Sequence, residues 1–478
     1  MNYRMILNFI GKIMGVEAVC MMISAFVGFL YGEFSSALWL ALGAVVAFAF
    51  FVLSVIFKPK DQVFFAKEGL ISVALAWVLM SIVGALPFYF SGEIKGFINC
   101  VFETVSGLTT TGATILNDVE SLSHGMLFWR SFTHWIGGMG VLVLVMAVLP
   151  TASGRSMHML RAEMPGPVIG KLVPKAKTTA RLLYIIYIAL TILMIILLCF
   201  GGMNLFESVI HTFGTAGTGG FGTKADSIAS YSPYCQWVIT AFMLIFAANF
   251  NIYYFVLIKK FSSALKSQEL WVYGAIVLSA ITLIALNVRG LFATTGETVR
   301  HSAFQVASII STTGYTTLDF NALPTFSKSI LLMLMLIGGC AGSTAGGLKV
   351  SRLVLLCKMI QNRILRVVHP RNVKAVKFEG KTVDEETLSG VSTYFALYCI
   401  CQVVVFLLVS LDGFGIEVSI SATAATFNNV GPAYGAAYAG YDGFSNLTKV
   451  VMSFAMLFGR LEIYPMLILF IPFAWRKK

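Results

Sequence analysis

The chain is 478 residues long, 58% hydrophobic and only 12% charged, with a mean hydropathy of +0.83. Soluble domains run at about 45–50% apolar and about 25% charged, so composition excludes a soluble globular protein and predicts a polytopic membrane protein. The net charge of +12 does not point to nucleic acid: 26 of the 34 Lys and Arg fall at the N-terminus and in 58–68, 151–181, 259–269, 349–387 and 476–478, the pattern of cytoplasmic loops with both termini inside and some attraction to anionic lipid.

Two spans come first, over about 5–30 and 36–57, joined by "YGEFSS". The first is too long and too evenly apolar for a cleavable signal. After the basic turn "KPKDQVFFAKEG" a different rhythm repeats four times: a long apolar helix, a short half-apolar helix, a Gly-centred polar loop and a second long helix. The first unit has spans near 70–91 and 126–150, a short helix near 95–107 and the loop "LTTTGATIL". The second has 181–201, 204–216, "AGTGGFGTK" and 234–258; the third has 270–289, 298–310, "STTGYTTLD" and a span from about 326. The fourth has 388–411, 416–427, "NNVGPAYG" and 447–475. The predicted fold is therefore an all-α polytopic membrane protein, with four pseudo-repeats of helix–pore loop–helix around a central pathway and two extra N-terminal helices. The expected units are 1–68 for the N-terminal pair, then 69–180, 181–268, 269–387 (broken second helix, cytoplasmic basic segment) and 388–478.

Four loops in register carry the chemistry. They align on Gly112, Gly220, Gly314 and Gly431, preceded by Thr110–Thr111, Thr218–Gly219, Thr312–Thr313 and Asn429–Val430. Irregular backbone at membrane depth is tolerated only where protein buries it or where it lines a pathway. None of these side chains is charged, so the ligands on offer are carbonyls and hydroxyls, which can replace a cation's hydration shell. Glycine reaches the φ angles that turn successive carbonyls to one axis. The second and fourth loops lack a Thr directly before the glycine, so four equivalent layers of oxygens are not expected.

Other polar groups stand out. Arg460 lies ~20 Å along the last span at 1.5 Å per residue, where a charge is by default a functional candidate. A pair with Glu462 or another buried carboxylate, used only to fix packing, is the structural alternative. Arg460 follows Gly431 at the spacing by which Asn249 follows Gly220, so both are expected at similar depth. "GGCAGSTAGG" (338–347), with Gly338, Gly339, Gly342, Gly346 and Gly347, should break the third repeat's second helix, with Lys349 at its inner end. Arg130, His134, Glu103, Glu207, Arg300 and His301 read as scaffold between short helices. Asp118, Glu120, Asp226, Asp319 and Asp442 read as solvated loop acids that could also concentrate cations at a mouth. The eight cysteines read as small buried hydrophobes. No paired Asp, HExxH or GxS nucleophile constellation suggests an enzyme, and no organic cofactor or nucleotide motif is present.

The four loops, together with "WIGGMGVLVLVMAVLP" (135–150), "ANFNIYYF" (248–255), "GGCAGSTAGGLKVSR" (338–352) and "FGRLEIYP" (458–465), resemble the Trk/Ktr/HKT superfamily of potassium transport proteins from about residue 70 onward. The N-terminal pair favours the Trk-type branch. The resemblance implies a bacterial cytoplasmic (inner) membrane location and K+ as the transported ion, selected where all four loop positions are glycine. It implies a homodimer with one pore per protomer, on a cytosolic nucleotide-binding, RCK-type regulatory subunit. It also implies that 338–347 is an intramembrane loop obstructing the inner pore, and that Arg460 is an electrostatic barrier. The alternative is a secondary transporter of another small cation or solute, Na+- or H+-coupled.

Overall fold

The computed structural model describes residues 2–57, 66–140, 176–370 and 375–475. Helices α1 (Tyr3–Leu30) and α2 (Phe34–Ile56) form a hairpin through a three-residue turn. Their crossing is tight because it is made of small residues: a β-carbon on Gly11 would run into Ser54, and one on Gly15 into Phe51. Outward residues such as Val19, Phe26, Val45 and Phe48 are exposed, as lipid-facing positions should be.

The four repeats then follow. The first has α3 (Ala66–Ser91), α4 (Phe97–Leu108) and α5 (His124–Gly138). The second has α6 (Ala176–Phe200), α7 (Leu205–Gly217), α8 (Pro233–Phe246) and α9 (Phe250–Leu257), followed by the short α10 (Phe261–Leu265). The third has α11 (Gln268–Asn287), α12 (Thr295–Ile310), α13 (Thr325–Ile337) and α14 (Val350–Val368), then a hairpin of β1 (Lys377–Phe378) and β2 (Lys381–Thr382). The fourth has α15 (Glu385–Val409), α16 (Ile416–Phe427), α17 (Asn446–Arg460) and α18 (Tyr464–Phe470).

Local signals set these boundaries. Asn204 and Glu207 make a reciprocal capping box at the start of α7. Thr294, Ser232 and Ser445 each accept a backbone N–H at the starts of α12, α8 and α17. The first repeat is tied to the N-terminal pair by Glu33, whose two oxygens accept from His124 N and Gly125 N at 3.0 and 3.1 Å.

Two expectations need correction. The spans 234–258 and 447–475 are not continuous: α8 and α9 meet at a 92° bend, and three residues separate the end of α17 at Arg460 from the start of α18. The second helices of three repeats are thus broken near the same depth. Six described helices are long and apolar enough to cross a bilayer, and the bent pair makes a seventh. The cysteines are also less buried than expected. Cys20, Cys100, Cys235 and Cys340 are buried, but Cys199, Cys357 and Cys399 are exposed on outward faces and Cys401 is half-buried, because an apolar outer face suits a thiol as well as a core does. The expected continuation of the first repeat's second helix to 150, and the basic segment 151–175, lie outside the described residues.

A four-loop constriction as the candidate functional site

The short helices α4, α7, α12 and α16 all end at the same structure. In each loop the residue two before the glycine takes a left-handed conformation: Thr110, Thr218, Thr312 and Asn429 have φ of 55°, 58°, 58° and 56°. The glycines also have positive φ, 78°, 79°, 80° and 96°. The next amide folds back onto the helix in every copy, Thr111 N to Ser106 O, Gly219 N to Gly214 O, Thr313 N to Ser308 O and Val430 N to Ala425 O, at 2.7–2.9 Å. A β-branched residue in the left-handed region costs of order 1–3 kcal/mol and persists only where its surroundings over-determine it. Three of the four copies accept that cost at threonine.

The loops close a ring. A β-carbon added at Gly112 would strike Gly219 O, at Gly220 Thr313 O, at Gly314 Val430 O, and at Gly431 Thr111 O. Each loop therefore abuts the next in chain order and the fourth abuts the first. The carbonyl layer is equivalent in all four copies, although the side chains are not. Gly219 is glycine for a local reason: a side chain there would overlap the His134 ring, which is fixed by a 2.7 Å contact between its Nδ1 and Gly107 O. The hydroxyl layer is unequal, as expected. Thr218 Oγ1 turns to Gly217 O, Thr312 Oγ1 accepts from Gly346 N at 2.7 Å, and Asn429 Nδ2 donates to Thr111 Oγ1 and Met456 O. Thr110 Oγ1 and Asn429 Oδ1 are buried without a hydrogen-bond partner among the described residues. The four helix C-termini converge here, and their partial negative charge favours a cation. Tyrosines brace the loops from behind, Tyr315 Oη donating to Phe221 O at 2.9 Å and Tyr441 Oη to Gly431 O at 2.7 Å.

On one side the four glycines open into a cavity of about 310 Å³, lined also by Thr114, Thr316, Arg130 and Lys224. Asp118, Glu120, Asp226, Asp319 and Asp442 are exposed and stand outside this lining, as solvated loop acids do. The expected scaffold role of Arg130 and Glu103 is visible. Arg130 Nε meets Glu103 Oε1 at 2.7 Å, its guanidinium covers the Phe221 ring at 3.4 Å, and Glu103 also accepts from Thr114 Oγ1 and Ile115 N. This pair lies within one repeat rather than between pore helices. Glu207 accepts from Tyr231 Oη, and His301 Nδ1 contacts Thr317 Oγ1.

On the other side the glycine-rich segment between α13 and α14 folds as a loop whose stems join, with Lys349 N on Ile337 O and Val350 N on Gly339 O at 2.8 and 3.0 Å. Gly338 and Gly347 touch across this neck, where a β-carbon on either would overlap the other's backbone. Beside the neck the loop reaches the ring: a β-carbon on Gly346 would strike Asn428 O. The loop also explains the α8–α9 break, because Cys340 N donates to Ala247 O and Phe250 N to Gly342 O at 2.9 and 3.1 Å. Asn249 caps α9, with its Oδ1 beside Gly342. Arg460 Nη1 donates to Thr344 O at 2.7 Å, and Nη2 to Gly138 O at 2.6 Å and to Gly137 O. Asn249 and Arg460 thus meet the same loop, one beside Gly342 and the other at Thr344 O. Lys349 Nζ donates to Ala345 O. Of the structural alternative, the Glu462 half is corrected: Glu462 receives Arg352 at 2.7 Å on both oxygens, and Arg352 lies over the Tyr394 ring. Sequence reasoning missed the Arg352–Glu462 pair because its partners are 110 residues apart.

Four helix–loop–helix repeats closing a ring of backbone carbonyls, inside a polytopic helical membrane protein, define the class: a membrane transport protein. The TrkH model, described as a cation transport protein, matches residues 41–477, and the chain belongs to that family. It is 36% identical over 426 residues to the Trk system potassium uptake protein TrkH of Escherichia coli K12, covering 86% of each chain. It is 32% identical to TrkH of Vibrio parahaemolyticus over the whole of both chains. The crystal structure of the potassium transporter TrkH from Vibrio parahaemolyticus superposes with a TM-score of 0.90 at 30% identity, covering 100% of both chains.

Proposed function

We propose that the chain takes up K+ across the bacterial cytoplasmic membrane. K+ would bind at Thr110–Gly112, Thr218–Gly220, Thr312–Gly314 and Asn429–Gly431. The observation that carries this reading is the closed ring of carbonyls from Thr111, Gly219, Thr313 and Val430. A ring of neutral oxygens offers a cation a substitute hydration shell and offers an anion only repulsive lone pairs. The partnerless Thr110 Oγ1 at the base of the ring supports it. The loop 338–349, with Gly346 against Thr312 and Asn428 and its flank held by Arg460, is the gate in its closed position. The basic inside segments put both termini in the cytoplasm, and the units expected from sequence, 69–180, 181–268, 269–387 and 388–478, are its four repeats. A cytosolic nucleotide-binding regulatory subunit opens the gate. The exposed apolar residues Ile360, Ile364 and Val367 on α14 offer a face for homodimer formation. Rubidium uptake into proteoliposomes of the purified protein, with sodium competition and an imposed pH gradient, tests the assignment. Uptake that K+ suppresses and Na+ does not is expected; equal suppression by Na+ would sink the filter reading, and uptake that follows the pH gradient would reveal proton coupling.

A further inference from the structure

Glu269, in the first turn of α11, is 3% exposed and was not singled out by the sequence. Its Oε1 accepts from Ala341 N at 2.7 Å and from Ser351 N at 3.1 Å, and its Oε2 accepts from Asn249 Nδ2 at 3.3 Å. Ala341 is on the entering stem of the 338–349 loop and Ser351 is in the first turn of α14, which leaves it. One carboxylate oxygen therefore holds both stems, and the other holds the cap of α9 against which the loop lies.

The same residue is gripped from the cytoplasmic side. Glu379 Oε1 accepts from Glu269 N and from Ser267 Oγ, both at 3.0 Å. Glu379 and Gly380, with φ of 49° and 75°, form the two-residue turn between β1 and β2, both central residues being left-handed. Lys358 Nζ fastens the hairpin further, bridging Gln268 Oε1 and Lys377 O at 2.6 and 2.5 Å. Phe378 and Val376 are buried in the same cluster as Cys340, Ala345 and Val350 of the loop. The outer face of the turn, Glu379 to Thr382, is exposed.

We infer that Glu269 is a positioning residue for the intramembrane loop, and that the Glu379 turn holds Glu269 in place, so that a cytosolic protein displacing this hairpin loosens both stems of the loop together. The inference rests on the gate reading given above. A carboxylate that accepts three N–H groups cannot shift without stranding buried donors, so the loop and the hairpin move as one.

The test uses the full-length purified protein in proteoliposomes without any partner. Glu379→Ala should speed amide exchange in 338–351 roughly tenfold, as expected for local opening that loses one anchoring contact. Exchange in 97–112 should be unchanged, and rubidium uptake should rise several-fold. Glu379→Gln keeps an acceptor oxygen and should restore both readouts. Exchange in 338–351 that Glu379→Ala leaves at the wild-type rate would overturn the linkage whatever the flux does. Faster exchange with unchanged flux upholds the linkage and removes the gate assignment instead.

Discussion

At Gly112 a β-carbon would collide with the Gly219 carbonyl, and the backbone sits at a φ of 78°. Serine there displaces one member of the ring. Gly112→Ser is expected to leave the protein folded and to let Na+ compete roughly tenfold better for rubidium uptake, since strain of this kind amounts to about 1–3 kcal/mol. Unchanged competition would remove the carbonyl ring from selectivity. Arg460 supports a second prediction. A fixed positive charge repels a K+ at 4 Å by about 4 kcal/mol at an effective dielectric of 20, and the same guanidinium also ties Thr344 O to the end of α5. Arg460→Gln removes both effects and should raise partner-free uptake. Arg460→Lys keeps the charge but loses the fork: low uptake in that variant assigns the block to charge, and high uptake assigns it to the tether. Both positions were legible because their residue types are anomalous where they stand, a charge in a span and a glycine in each loop. The role of His134 in making residue 219 a glycine was not, since it depends on a contact across 85 residues.

At the scale of elements, the sequence revealed the short helices to within a few residues because their caps are local. Breaks in the second helices were legible only where composition announces them. The segment 338–347 has five glycines, whereas Ala247–Ala248–Asn249 contains no strong breaker. That bend exists because the glycine-rich loop supplies a donor to Ala247 O and an acceptor to Phe250 N, a tertiary override of helix propensity. Removing 341–346 deletes the loop body, including the acceptors of Phe250 and Arg460, and spares the neck bonds from Leu348 and Lys349 to α13. The expected result is constitutive rubidium uptake with the filter's K+ preference retained. Uptake that stays at the wild-type closed level, in protein that still elutes as a folded species, would show that the obstruction lies elsewhere.

For the whole molecule, the distribution of charge is the basis of the proposed orientation and of the proposed partner surface. Positive charge concentrated on inside loops orients the spans, but topology needs only a few residues per loop, and the chain carries nine Lys and Arg in 349–387 alone. On α14, Arg363 and Arg366 are exposed beyond the buried first turn that follows the loop. Neither is in an ion pair among the described residues. The same helix begins at the neck of the loop and is fastened to the Glu379 hairpin through Lys358, so a protein bound to these arginines would pull on the proposed gate directly. Reversing Arg363 and Arg366 to Glu should therefore weaken co-purification of the proposed cytosolic regulatory subunit. The weakening should be greatest at low ionic strength, because salt at 0.1 M screens exposed charges beyond about 10 Å. Partner-free uptake should be unaffected, since neither residue touches the loop. If the subunit is retained equally by wild type and the double variant from low to high salt, these charges serve orientation alone, and the docking surface must be sought on the hairpin face around Glu379.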